Sequence, residues 1–386
     1  MYMTIDSSVL TWADPSVSSL PAIIPIATEI VKGNGDALEL LLDDIRSQVD
    51  LILRLHAEYT GDLAVHLAEA ARALEPRATG QGVLAVGMGS SLAAARVLPP
   101  LLGSPSVRVE DAGEVLHYGL EGASTASAII AISQSGRSVE TVRVVRELRR
   151  VNPNPVVVIT NAPDSPLAQL ADVVLPLLAG EETVAATKTY LATLIVLLHL
   201  ANRVLRVAVN TGEISSVAAW VTREVTRDLG EAVPAALAER PALFVVGRGP
   251  SLSVADYAAL VMKEVAMIPA EGMSGGAFRH GPLEMIQRDV GVVVLAPEGR
   301  TTRLAIELAL EIADRDRPVW LLTDSRHSAR LPTLPALHTT VIPPVSEAVS
   351  PLATAIPLQL LAVRTAYARG RQAGSLALVS KVTERE

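Results

Sequence analysis

The sequence predicts an α/β protein made of two tandem copies of one domain, each a parallel β-sheet flanked by helices. Three observations predict it. From residue 82 onward, short Val/Ile/Leu runs alternate with long Ala/Leu-rich segments, the pattern of βαβ units. The runs are continuously apolar rather than alternating, as strands covered on both faces must be. And the pattern occurs twice. Val83-Leu84-Ala85-Val86-Gly87-Met88-Gly89-Ser90-Ser91 is echoed by Leu243-Phe244-Val245-Val246-Gly247-Arg248-Gly249-Pro250-Ser251. At nearly the same offset, Ser135-Gly136-Arg137-Ser138 is echoed by Glu298-Gly299-Arg300-Thr301, and Val158-Ile159-Thr160-Asn161 by Leu321-Leu322-Thr323-Asp324.

Taken in order, residues 1–35 carry recurrent Ser and Pro (Pro15, Pro21, Pro25) and end in the turn signal Gly33-Asn34-Gly35. They read as an arm on the surface or on a partner subunit. Residues 36–74 read as helix, with apolar Leu38, Leu41, Leu42, Ile45, Val49, Ile52 and Leu53 at helical spacing. Strands are expected at 83–86, 107–109, 128–132, 156–159 and 173–175, and a helix at 139–150. The apolar run 191–200 is far short of the roughly 20 residues of a membrane span and reads as a buried helix. The first domain is assigned to 36–225, the second to 226–370, and a tail to 371–386.

Composition narrows the function. Hydrophobic residues are 49% and charged residues 19%, enough for a core and too apolar for disorder. The net charge is −8, and no Lys/Arg block offers the clustered cations that nucleic acid needs. No membrane partner is expected either; small molecules or copies of the chain are. Cysteine is absent, which excludes disulfides, thiolate metal sites and Cys nucleophiles, and fits a cytoplasmic protein. Residues 1–6 lack the basic start and apolar run of a signal peptide. With 2 Phe, 3 Trp and 6 Tyr, the core must be Ala, Val, Leu and Ile.

Two strand-to-helix turns carry chemistry. Gly87-Met88-Gly89-Ser90-Ser91 offers glycines for close backbone approach and a helix N-terminus for an anion. A dinucleotide fingerprint would need a third Gly where Leu92 stands, although Glu110 ends the next strand as a ribose-binding acid would. The second turn, Ser133-Gln134-Ser135-Gly136-Arg137-Ser138, gathers three hydroxyls and several N–H groups where a parallel strand ends and a helix begins. One Ser suffices for a helix cap; three point to a phosphate monoester held without metal. The second copy has Ala296-Pro297-Glu298-Gly299-Arg300-Thr301 there. Its Pro has no N–H and its Glu repels a dianion, so the first copy should hold the phosphate. In the second copy, Glu264 lies among Val261, Met262, Val265 and Met267, where a carboxylate either has a partner or titrates high, as a general base requires; a solvated Lys263-Glu264 pair is the alternative. The Gly/Ser-rich loop 271–282 ends in His280-Gly281-Pro282. The seven histidines form no H-x-x-x-H or His/carboxylate cluster, so no metal and no cofactor is expected.

These motifs, together with Val184-Ala185-Ala186-Thr187-Lys188, Gly247-Arg248-Gly249, Lys263-Glu264 and Lys381-Val382-Thr383, make the chain from about residue 36 onward resemble the double-SIS (sugar isomerase) family. Within it the likeness is to the isomerase half of glucosamine-6-phosphate synthase and its stand-alone relatives. The resemblance implies two tandem SIS domains, each a flavodoxin-like three-layer sandwich. It implies phosphate binding by Ser91, Ser133, Gln134, Ser135 and Ser138, with Ser90 in the same turn, and a backbone contact to the sugar at Val184. It implies Glu264 as proton shuttle between C1 and C2, and His280 as the ring-opening residue of the neighbouring subunit's site in a homodimer. It implies Lys381 as a tail lysine at the open-chain carbonyl. Val261, Pro269, Ala277 and Ala186 depart from the synthase's Lys, His, Glu and Ser, which implies altered recognition of sugar hydroxyl and amino groups. No glutaminase half is expected, because the chain has no cysteine. The expected activity is phosphosugar aldose–ketose isomerisation or amino sugar phosphate deamination, with a deglycase as a variant. The competing expectations are a sugar-phosphate sensor without turnover and, disfavoured by Leu92, an NAD(P) oxidoreductase.

Overall fold

The structure is a computed structural model that describes residues 37–74, 82–103, 107–182 and 185–370. The expected arm, the expected tail, Val184 and Lys381 lie outside the described residues.

The stretch expected as one helix runs as three, α1 (Ala37–Arg46), α2 (Gln48–Thr60) and α3 (Ala64–Leu74). Apolar spacing persists through both breaks and hides them; α2 stops at Gly61, whose N–H closes back on Ala57 O at 2.8 Å. Five parallel strands follow: β1 (Val83–Gly87), β2 (Val107–Asp111), β3 (Ala128–Ile132), β4 (Val156–Thr160) and β5 (Val173–Pro176), in spatial order β2-β1-β3-β4-β5. The second copy supplies β6 (Leu243–Gly247), β7 (Ala270–Ser274), β8 (Gly291–Ala296), β9 (Val319–Asp324) and β10 (Leu337–Ile342). They too are all parallel, in order β7-β6-β8-β9-β10. Matched strand for strand the two orders are the same, so the repeat legible in the sequence is a repeat of topology.

The remaining long helices are α4 (Gly89–Ala95), α5 (Val139–Val151), α6 (Lys188–Val204), α7 (Thr211–Thr226), α8 (Pro250–Val261), α9 (Thr302–Ala313) and α10 (Ser350–Ala368). Period-two alternation sends Ala85, Ile130, Ile132, Val157 and Ile159 into a core shared with the second sheet's Val245, Val293 and Leu295. Leu84, Val86, Ile129, Ala131 and Val158 go to an outer core under α5, and Val246, Val292 and Val294 to its counterpart under α9. Between the sheets run α6, buried at every residue from Thr189 to Ala201, and α10, buried along nearly its whole length. Each shows little one-sided patterning because each is surrounded. No helix among the described residues is long and apolar enough to cross a membrane.

Candidate functional site

β1 and β3 are neighbours, with Gly87 opposite Ile132. The chain leaves β1 for α4, whose Ala93–Ala95 pack in the central core, and leaves β3 for α5, whose Val142, Val144 and Val145 pack in the outer core. The two helices diverge to opposite faces, so a crevice opens at the carboxyl ends of these strands, where open α/β sheets bind ligands. Ser90 and Ser91 stand on one side of it and Ser133, Gln134, Ser135 and Ser138 on the other. The fold thus brings together the six residues expected at the phosphate.

Among the described residues the serine hydroxyls there bond only within their own turn, Ser133 with Ser138 and Ser135 accepting from the Arg137 N–H. Ser138 occupies the N-cap position of α5 but makes no cap hydrogen bond; its hydroxyl lies 3.1 Å from that of Ser133. Met88, at the same position of α4, makes none either. At α4 the Ser91 N–H closes on Met88 O at 3.0 Å, which leaves Gly89 N–H and Ser90 N–H, and the first-turn N–H groups of α5, without a side-chain cap. Side-chain caps do occur elsewhere: Asn210 accepts from Gly212 N and Glu213 N at α7, and Asp111 and Asp324 cap short helices. The loop is rigid all the same. Gln134 O accepts from Asn161 N at 3.0 Å and Gly136 O from Leu167 N at 3.1 Å. Gly136 has φ +61°, and a Cβ there would lie 1.9 Å from Ser165 Oγ, so only glycine fits.

The second copy's equivalent crevice, between β6 and β8, has a different, acidic lining. The Glu347 side chain packs on Gly299, where a Cβ would lie 2.4 Å from its carboxyl carbon, and fronts Gly249. Glu298 lies 2.8 Å from His327 Nε2. The fold here assembles a His/carboxylate group that the sequence reading did not find: donor atoms of Glu298, Asp324 and His327 lie within 4.8 Å of one another. The three are remote or unpatterned in sequence, and only the ends of β8 and β9 bring them together. The Arg326 guanidinium already balances them, 2.8 Å from Asp324 and 3.8 Å from Glu298, and it holds the Asp324 carboxyl below its usual range against the opposing effect of burial.

Glu264 sits where α8 ends, in a single π-helical turn, Met262–Ala266, closed by Met267 at φ +51°. The extra residue of a π turn re-aims its side chains. Val261, Met262 and Val265 are buried as expected, whereas Met267 is exposed and Lys263 points to solvent. Burial, first, and the neighbouring Glu182 carboxylate push the Glu264 pKa up to about 7, against the opposing pull of Lys263. α8 packs on α4, and Leu260 stands 3.7 Å from where a Cβ on Gly89 would lie. The helix carrying Glu264 therefore leans on the first phosphate turn.

Sequence reasoning missed Glu182. This buried carboxylate accepts from Thr187 N at 2.7 Å, Thr189 N at 3.1 Å and Thr189 Oγ1 at 2.6 Å. It thereby caps α6 and fixes the Ala185–Thr187 turn. An acid shortly before a Thr-Lys-Thr helix start is the signal that could have found it. Lys188, within the same motif, is structural: its ammonium pairs with Asp44 at 2.7 Å, tying α6 to α1. His280 is exposed at the end of a short helix, Gly275–Arg279. Among the described residues no hydrogen bond or ion pair joins it to Glu264 or to the serine turns.

Comparison with known proteins agrees with this architecture. The sequence matches the SIS domain family over residues 82–203 and 236–369. It is 34% identical over 259 residues to a glutamine–fructose-6-phosphate aminotransferase (isomerizing) of Rhizobium leguminosarum bv. viciae, covering 64% of this chain and 42% of that protein. The chain thus spans less than half the length of that relative. Its fold superimposes on tagatose-6-phosphate ketose/aldose isomerase from Escherichia coli with a TM-score of 0.72 at 16% identity, covering 89% of this chain and 96% of that one. Glucosamine-6-phosphate deaminase from Thermotoga maritima gives 0.67 at 18% identity, covering 89% and 99%.

Proposed function

The chain belongs to the SIS domain family, and we propose that it binds a phosphorylated sugar in the first copy's crevice and moves a proton between its C1 and C2. The reaction class is phosphosugar aldose–ketose isomerisation or deamination of an amino hexose 6-phosphate. The asymmetry of the two crevices carries this reading. The helix N-termini of both crevices are without side-chain caps, but the first is lined by neutral serine hydroxyls and the second by Glu298, Asp324 and Glu347. Neutral donors and a helix dipole hold a dianion well, and a carboxylate lining does not.

In this reading Ser90, Ser91, Ser133, Gln134, Ser135 and Ser138 hold the phosphate, and the Val184 backbone meets the sugar, two residues before Ala186. Glu264, as carboxylate, takes the C2 proton to give an enediol or enolamine and returns it to C1. One base that reaches both carbons is enough; isomerisation consumes nothing else, and in deamination a water hydrolyses the C2 imine so formed, releasing ammonia and leaving the ketose. His280, exposed and unattached to its own chain's Glu264, suits service to the neighbouring subunit's site in a homodimer. Lys381 acts at the open-chain carbonyl. The relative's isomerizing activity supports the C1/C2 chemistry.

The test is incubation with a panel of neutral and amino hexose 6-phosphates while ketose and free ammonia are followed. At least one member is expected to be turned over, and turnover of none overturns the reading. Ser135→Ala is expected to weaken binding of that sugar phosphate by roughly 1–2 kcal/mol. Glu298→Gln, in the other crevice, leaves it unchanged.

A further inference from the structure

A buried polar chain crosses the centre of the molecule and ends on the turn beside the site. The Tyr257 hydroxyl, on α8, donates to Ala186 O at 2.7 Å. Gln359 Nε2, on α10, donates to the same hydroxyl at 3.0 Å, and Gln48 Nε2, on α2, donates to Gln359 Oε1 at 2.6 Å. All three side chains are at most 1% exposed. The directions are forced. A carbonyl can only accept, so the single phenolic proton goes to Ala186; Gln359 must then turn its amide N–H toward Tyr257, which fixes Gln48 in turn. The Tyr257 ring also lies flat on the Tyr190 ring, centroids 3.5 Å apart and 3° from parallel. Tyr190 belongs to the first turn of α6, and its hydroxyl is 3.0 Å from Ser253 Oγ on α8. One side chain of the second copy therefore grips the 186–190 segment of the first at both ends, while Glu182 holds its Thr187 and Thr189 between them. None of these contacts reaches the serine turns.

We infer that Tyr257 is a positioning residue of this site, its hydroxyl fixing the Ala186 carbonyl and with it the backbone that meets the sugar carbons, independently of the phosphate. The inference rests on the proposed phosphosugar reading. It also gives the second copy a part in sugar recognition: the helix that carries Glu264 sets, about two turns earlier, the backbone against which the sugar lies. The two Tyr contacts separate cleanly. Tyr257→Phe keeps the ring stack and deletes the hydroxyl, leaving Ala186 O and Gln359 Nε2 buried without it, a loss that costs well beyond a simple exchange of hydrogen bonds.

The experiment is calorimetric titration of wild type and Tyr257→Phe with glucosamine 6-phosphate, fructose 6-phosphate and inorganic phosphate. Tyr257→Phe is expected to bind the hexose 6-phosphate preferred by the wild type roughly tenfold more weakly and inorganic phosphate equally well. Gln359→Met, which removes the donor behind Tyr257 together with the acceptor of Gln48 and touches nothing in the 186–190 segment itself, is expected to show the same selectivity at about threefold, and it decides the matter if Tyr257→Phe does not fold. Equal weakening toward phosphate and sugar phosphate means a merely structural role and overturns the inference, as does no weakening at all. A wild type that binds inorganic phosphate but neither hexose 6-phosphate more tightly overturns the phosphosugar reading itself.

Discussion

The burial that raises the Glu264 pKa, and so suits it to the proposed role of base, also costs stability. Its pKa stands at about 7 in the folded chain against an ordinary value of 4.5. Below 4.5 both folded and unfolded chains hold the proton and nothing is lost. As pH rises from 4.5 to 7 the unfolded chain releases it and the folded chain does not, so stability falls; above 7 the loss is complete, up to about 3 kcal/mol. Glu264→Gln is therefore expected to melt higher than wild type at pH 8 and alike at pH 4, in thermal scans across that range. Equal melting at pH 8 would mean that the carboxylate is not desolvated. If Glu264 is the base, as proposed, the same titration is expected to set the acid limb of kcat/KM, turnover rising through pH about 7. Glu264 and the serines were legible because their residue types advertise their chemistry. Glu182 and Tyr257 were not, because a capping acid and a core tyrosine look ordinary until the fold shows what they face; Tyr257 meets Ala186 across 71 residues of sequence.

At the scale of elements, continuous apolar runs located the strands, and β3 spans the residues read for it. Breaks inside helical stretches were less legible, since apolar spacing continues through Ser47 and the 61–63 turn while hydrogen bonding does not. The π turn at the end of α8 was invisible for the same reason: one inserted residue leaves local composition unchanged. Loop rigidity follows from Gly136. Gly136→Ala combines left-handed strain with overlap on Ser165 and is expected to cost roughly 2–4 kcal/mol by denaturant unfolding. Gly103→Ala has similar φ, +58°, but nothing within 4 Å, so it carries the strain alone, about 1 kcal/mol. Equal losses would refute the packing account. Between α2, α6 and α7, His56 Nδ1 lies 3.2 Å from His199 Nε2, with Tyr59 stacked on His199 and Thr211 at 3.2 Å from His56. Burial, then the neighbouring His56, lowers the His199 pKa to about 4. The unfolded chain takes up protons below 6.5 that folded His199 refuses down to about 4, so stability falls as pH drops through that window. This is opposite in sign to Glu264 over much of the same range. Imidazole resonances of His199 are expected to stay at their neutral positions from pH 7.5 to 5; titration near 6.5 would show that the pair is hydrated.

For the whole molecule, duplication followed by divergence explains the division of labour. Two copies share one strand order. The first keeps its crevice open and lined by neutral donors. The second lines its own with carboxylates and presents Glu264 from the end of α8. The sequence showed the duplication because landmark turns recur in order, and the proposal that the first copy holds the phosphate starts from Pro297 and Glu298, which replace donors with a blocked nitrogen and a charge. It did not show how tightly α6 and α10 weld the copies together, since their all-round apolar faces carry no directional pattern. If His280 serves a neighbouring chain, mixing Glu264→Gln with His280→Ala subunits is expected to restore activity that neither variant has alone, because a mixed dimer holds one intact site; no recovery after verified exchange would place the whole site in one chain. The central claim, that the first copy seats a sugar phosphate beneath a base supplied by the second, is tested most directly by solvent-deuterium exchange at C2 of the hexose 6-phosphate bound by the protein. Wild type is expected to wash deuterium into C2, and Glu264→Gln to bind the same sugar while exchanging it about 10²–10⁴-fold more slowly. Undiminished exchange in Glu264→Gln, or bound sugar with no exchange in wild type, would contradict it.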